Sequence, residues 1–167
     1  MDLSRFETSE GGTLADDVEL FKERVRRQIT SIYCAAEAPP IVVRHAADDD
    51  GLSGNVIYFT QVLSTLGERQ VGEGEYDPCN TQHDNVAVIF GEQVRRLGGV
   101  LSFDEWVMVF ANITAHEIGH TLGYGHVARA DLSGTGRPAF VELMLDGHTL
   151  GELCTEQRFT AGQSNCP

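Results

Sequence analysis

One α+β domain is what the sequence predicts, and three observations predict it. A long amphipathic pattern opens the chain. Three short β-rich runs follow. A second helical pattern, apolar on almost every side, comes after them. The 167 residues, 41% of them hydrophobic, suffice for one domain with a real core and fall short of two.

The first helix follows Gly11-Gly12. Thr13 with Asp16 three residues on resembles a capping box, with Asp in place of the usual Glu. Val18, Phe21, Val25, Ile29, Ile32 and Tyr33 then recur at helical spacing, with Glu and Arg between them, so a helix is expected over about 14–36. The "APP" at 38–40 ends it. The β-rich runs are "IVVRHA" from Ile41, "NVIYFTQV" from Asn55 and "NVAVIF" from Asn85, each bounded by Gly, Asp or Asn. Between the last two, "GERQVGEGEYDPCNTQHD" reads as a surface excursion. "DDDG", Asp48 to Gly51, reads as an acidic turn; clustered carboxylates suit Ca2+, but the full calcium-loop pattern is missing. One or two helical turns are expected within Gly91 to Gly99. Ser102 and Glu105 then form an S-x-x-E box that starts a helix over about Phe103 to Leu122. Beyond His126 the chain is Gly-rich and irregular, with an apolar patch "VELML" and one more short helix expected around Cys154 to Thr160.

Charge narrows the function classes. With 25 acidic and 12 basic residues the formal charge is −13. The longest basic cluster, Lys22 to Arg27, is interrupted by Glu23 and reads as a solvated helix face, so no nucleic-acid partner is expected. No apolar run approaches the ~20 residues of a membrane helix, and no membrane partner is expected. The polar start "MDLSRFETSEGG" has no apolar signal core. It fits a cytoplasmic protein if Met1 is the native start, and an extracellular one, the favoured setting, if the chain is a mature domain. Cysteines stand at 34, 79, 154 and 166. A Cys154–Cys166 loop would leave Cys34 and Cys79 as partners; free buried thiols are the alternative reading.

The chemistry gathers on the second helix. Val107, Met108, Ala111, Ile118 and Leu122 cover one side, while Trp106, Val109 and Ile113 share the side of the histidines. A helix apolar all round is a buried helix. Its one charged residue between Trp106 and Gly123 is Glu117, and a buried carboxylate needs a cavity, a partner or a task. His116 and His120 stand about 6 Å apart along the axis and about 40° apart around it, so their imidazoles can converge on one metal ion. Glu117 projects to the same half of the helix, sideways from the pair. This is the H-E-x-x-H arrangement, two metal ligands and a general base. On a continued helix His126 would face about 240° away from His120. Gly123 stands where a left-handed C-cap is needed, and leaving the helix there lets the chain return His126 as a third ligand. A fourth position stays open for water, as in catalytic rather than structural zinc sites. Core histidines satisfied by hydrogen bonds, or a structural zinc, are the competing readings; both leave Glu117 unexplained.

His116, Glu117, His120, Gly123 and His126 together spell H-E-x-x-H-x-x-G-x-x-H, and in this the chain resembles the metzincin zinc metallopeptidases, closest in flavour to matrixin-like bacterial or archaeal members. The resemblance implies a Met-turn beneath the metal, for which Met144 in "VELMLDG" is the match. It implies a zincin-like catalytic domain over 1–167. An upper subdomain of about 13–125 places a backing helix and a small twisted mixed sheet above the active-site helix. A short irregular lower subdomain covers about 126–167. It also implies an edge strand that pairs with an extended peptide, and "NVAVIF" is the candidate, with Val86, Ala87, Val88 and Ile89 as substrate-binding residues. The segment Leu145 to Leu150 is expected to shape the pocket after the cut bond. Departures from the family pattern are Val127 after the third histidine, Asp146 where some metzincins have tyrosine, and no cysteine-switch segment. His45, His83 and His148 are unassigned; His148, nearest the Met turn, has a place lining the cleft as one reading, and a surface histidine is the favoured one.

The expected function is a monomeric zinc-dependent endopeptidase acting on proteins or peptides. One Zn2+ sits on His116, His120 and His126, and Glu117 activates the water. An aminopeptidase or narrow processing peptidase on the same site, and a non-catalytic zinc-dependent peptide-binding module, are the rivals.

Overall fold

The computed structural model describes residues 1–35, 41–44, 54–64, 70–127, 141–144, 148–155 and 157–158. The Asp48–Gly51 turn with its calcium reading, His45, Asp146 and Cys166 lie outside them, as do 145–147 of the expected pocket segment.

Helix α1, Val18–Ala35, is entered through a 3-10 turn, Leu14–Asp17. The Asp16 carboxylate accepts the Thr13 N–H, so Asp does serve the reciprocal role in the box. Helix α3, Phe103–Thr121, starts on the Ser102/Glu105 box. The two helices pack against each other, and the buried Tyr33 hydroxyl donates to the Ala115 carbonyl at 2.8 Å. Phe21, Val25, Ile29 and Ile32 form the buried face of α1, as the spacing requires. Phe110 on α3 is fully buried among Phe6, Phe21 and Trp106, with edge-on contacts to Phe6 and Phe21 at 5.3 and 5.4 Å between ring centroids. These rings gather around the N-terminal half of α3, while His116 and His120 stand near its C-terminal end.

A three-stranded mixed sheet covers another part of α3. Strand β1, Val56–Thr60, runs parallel to β3, Val86–Phe90, in register Val56↔Val86 to Thr60↔Phe90. Strand β2, Gly72–Gly74, runs antiparallel to β3, with Gly72 opposite Ile89 and Gly74 opposite Ala87. The order is β1-β3-β2, so β3 is the centre strand. This corrects the expected edge position of "NVAVIF". Val86, Ala87, Val88 and Ile89 have a strand on each side, and their backbone has no free edge to offer a peptide. The edge belongs to β2, inside the stretch read as a surface excursion. Ile41–Arg44, read as the start of a strand, is not in one.

Helix α2, Gly91–Arg96, follows β3 directly. After α3 a two-stranded parallel pair joins β4, Val141–Glu142, to β5, Gln157–Arg158. Between them lies helix α4, Leu150–Leu153, started by a Thr149/Glu152 capping box. The expected helix at 154–160 is thus displaced toward the N-terminus, because T-x-x-E at 149–152 supplies the start signal. Asn112 of α3 donates to the carbonyls of Leu153 and Thr155, which anchors this segment beneath α3. No helix among the described residues is long and apolar enough to cross a membrane.

Candidate metal centre

The helix that carries His116 and His120 ends at Thr121. Gly123 follows with φ +87°. Its N–H donates to the His120 carbonyl, and the Tyr124 N–H donates to the Gly119 carbonyl, each at 2.9 Å. Those two bonds are the Schellman pattern, which closes the orphan carbonyls of a helix end through one left-handed residue. A second constraint acts at Gly123. A Cβ there would meet the Asp77 carbonyl oxygen and the Cys79 nitrogen at 2.9 Å, because the loop after β2 lies against the turn. Asp77 fixes that loop. Its buried carboxylate accepts the Gln82 N–H at 2.7 Å and bonds Thr81 and Asn85 at 3.0 Å. These donors, the Gln82 backbone first, hold its pKa below the usual carboxylate value. Its own N–H donates to the His120 carbonyl at 3.2 Å.

Past the turn, His126 comes back toward the helix. Its Nε2 lies 3.1 Å from Nε2 of His116 and 3.1 Å from Nε2 of His120. The three rings thus form a group able to hold a metal ion, with enclosure falling from His116 through His120 to the exposed His126. The other nitrogens decide the proton positions. His116 Nδ1 lies 2.7 Å from the Leu143 carbonyl and His120 Nδ1 lies 2.9 Å from the Tyr124 carbonyl. A carbonyl only accepts, so both Nδ1 atoms carry hydrogen, and in the neutral rings both Nε2 atoms present lone pairs. Burial, aided by the neighbouring histidines and opposed by the Leu143 bond, lowers His116 to about 3. Burial lowers His120 as well. Neutral rings leave at most one hydrogen, that of His126, among three converging nitrogens. A cation at their centre satisfies all three. Tetrahedral ligation at about 2.0–2.1 Å separates nitrogens by about 3.3–3.4 Å, so the two 3.1 Å spacings to His126 fit after a small opening.

Glu117, the residue after His116, is 6% exposed and lies under β2. Burial, then the charge of Glu73, push its carboxyl up to about 8, against a backbone N–H from Gly74 that favours the ionised form.

The turn at Leu143-Met144 closes the centre from below. Met144 is fully buried, and its carbonyl accepts the Val127 N–H at 2.8 Å, one residue past His126. Leu143 holds His116, and its carbonyl also lies 2.9 Å from His148 Nε2. His148 is not a surface histidine. Its ring meets that of His116 edge-on at 5.8 Å, and its Nδ1 lies 3.3 Å from the fully buried Gln157 amide nitrogen. His83 is exposed.

The structure therefore brings together His116, His120 and His126, with Gly123 in the turn between the last two, Met144 bonded to the residue after His126 and Glu117 under β2, and it keeps Val86, Ala87, Val88 and Ile89 in the centre of the sheet. Sequence reasoning missed Gly72, Gly74 and Asp77, and for His148 it favoured the surface over a place at the cleft. The alternation "GEGEY" was the available signal for β2, and two glycines in three residues hid it. The cysteine pairing is also corrected: Cys79 is disulfide-bonded, while Cys34 and Cys154 are free thiols.

No protein-family model, no curated protein and no solved structure matches the chain.

Two outcomes follow from the geometry. Gly123→Ala places a side chain at positive φ and against two backbone atoms, so it is expected to destabilise the fold by at least ~2 kcal/mol in urea unfolding. The pH dependence of the metal-free protein has two opposed parts. Unfolded histidines take protons near 6.5, the folded His116 only at about 3, so stability is present above 6.5 and falls as the pH drops from 6.5 toward 3. Glu117 acts in the reverse sense. An unfolded glutamate ionises near 4.5 and the buried one at about 8, so stability falls as pH rises between those values. Glu117→Gln is expected to remove the second slope and keep the first, measured by melting chelator-treated protein across pH.

Proposed function

We propose that the chain is a zinc-dependent endopeptidase of metzincin kind, acting as a monomer on protein or peptide substrates. The observation that carries the reading is the pairing of three convergent imidazole nitrogens with a buried carboxylate on one helix. Imidazole suits zinc, and three ligands leave a fourth position for reacting groups. A non-catalytic site has no use for a carboxylate held without water at that place. The unbroken H-E-x-x-H-x-x-G-x-x-H motif, the buried Met144 in a turn tied to Val127, and the order helix, mixed sheet, site helix all support the same reading.

When bound, zinc supplies Lewis acidity that polarises a peptide carbonyl and acidifies water, and its charge offsets the burial that otherwise keeps Glu117 protonated. Glu117 then takes the proton of the attacking water and delivers it to the leaving amine nitrogen. Leu143 and Tyr124 carbonyls keep His116 and His120 in the tautomer that presents Nε2.

The extended substrate is assigned to β2 rather than β3. Val71 and Glu75 bond the backbone of β3, through Phe90 N–H to Val71 O and Glu75 N–H to Val86 O. By strand alternation Gly72 and Gly74 turn their backbone groups away from β3; with the Gly74 N–H directed to Glu117, the Gly72 N–H and the two carbonyls remain for an added strand. A peptide added there by β-augmentation runs past Glu117 and the three histidines.

Metal analysis and peptide cleavage on wild type and Glu117→Ala test the reading. Retained zinc with cleavage lowered by about 10²–10⁴ is expected. Equal cleavage by the two proteins contradicts it.

A further inference from the structure

We propose that Gly72 is a positioning residue for the Glu117 carboxylate: its missing side chain is the seat in which that carboxylate stands. The idea rests on the metallopeptidase reading for its catalytic meaning, and on geometry for the contact itself.

Strand β2 approaches α3 more closely than any side chain permits. A Cβ on Gly72 would meet Glu117 Oε1 at 2.5 Å, Cγ at 2.7 Å and Cδ at 2.8 Å. A Cβ on Gly74 would instead meet the Glu117 backbone, its carbonyl oxygen at 2.5 Å and carbon at 3.3 Å, with His120 Cβ at 3.2 Å. The two glycines therefore serve different ends. Gly74 lets the strand touch the helix and gives its N–H to the Glu117 carboxylate. Gly72 clears the volume that the carboxylate fills.

Backbone torsion does not explain the glycines. Among the described residues the positive-φ glycines are Gly11, Gly12, Gly98, Gly99 and Gly123, and neither Gly72 nor Gly74 is one of them. Both sit in an ordinary strand paired to β3. Glycine weakens a strand interior, and it commonly marks the close approach of another group. Here that group is Glu117. On α3 the residue after His116 is turned by about 100° from it, so Glu117 leaves the face of the histidines at its Cα. The seat under β2 receives its side chain and roofs it with the strand.

A double-mutant cycle and a kinetic split test this on the zinc-loaded full chain. Gly72→Ala is expected to lower Tm by about 3 °C or more when Glu117 is present. In the Glu117→Ala background, where the seat is empty, the same change is expected to leave Tm level or raise it. Equal losses in both backgrounds overturn the proposal. If Gly72→Ala fails to fold with Glu117 present, folding in the Glu117→Ala background supports it, and failure in both overturns it. In peptide cleavage, Gly72→Ala is expected to lower kcat about 100-fold while KM stays within about 3-fold. Zinc affinity, read by competition with a chromophoric chelator, is expected to stay at the wild-type value. Gly72→Ala with Glu117→Asp is expected to be no slower than Glu117→Asp alone, because the shorter side chain vacates the space. An unchanged kcat in Gly72→Ala overturns the positioning role. A wild type that binds zinc and cleaves nothing overturns the peptidase reading instead, and the Tm cycle still decides the contact.

Discussion

A lone pair has one direction, and two backbone carbonyls choose it for two of the histidines. Leu143 and Tyr124 each take the Nδ1 hydrogen of a ring, and this turns His116 Nε2 and His120 Nε2 toward the same point. Everything else at the centre serves to keep those carbonyls in place. The Tyr124 carbonyl is available only because the helix ends in a left-handed turn at Gly123. The Leu143 carbonyl is available only because the 143–144 turn is packed into the core by Met144 and shared with His148. The next carbonyl, that of Met144, fixes the chain just past His126. Two adjacent carbonyls thus hold the first histidine and the return path of the third.

Close backbone approach is the second constraint. The loop carrying Asp77 lies on the exit turn, and β2 lies on α3, with glycine at both contacts. Because these contacts are made by main chain, they leave the carboxylate and imidazole side chains little freedom. The cost is a buried carboxyl group raised to about 8 and histidines lowered by burial, both of which oppose folding without a metal. Metal binding to the folded state alone would return that energy by linkage.

Much of this was legible in the sequence because it is local. The motif from His116 to His126 straddles the end of a helix whose start is written by Ser102 and Glu105 and whose end is written by Gly123. Those signals span one turn of chain, and periodicity and capping read them directly. What escaped was pairing at long range. The edge strand is three residues long, two of them glycine, so propensity argues against it. Its glycines are explained by Glu117, some forty positions away, against which the strand lies. The same holds for His148, whose role comes from a carbonyl in a turn and an amide on β5. Val86–Phe90 was rightly a strand, but its place in the sheet followed from a neighbour that pattern alone did not reveal.

The account's central claim is the convergence of His116, His120 and His126 on one ion. X-ray absorption at the zinc edge of the zinc-loaded protein tests it directly. The account predicts three imidazole nitrogens at about 2.0–2.1 Å, with one further light scatterer in a four-coordinate shell. Sulfur in the shell, or six oxygens without the multiple scattering of imidazole rings, would contradict it.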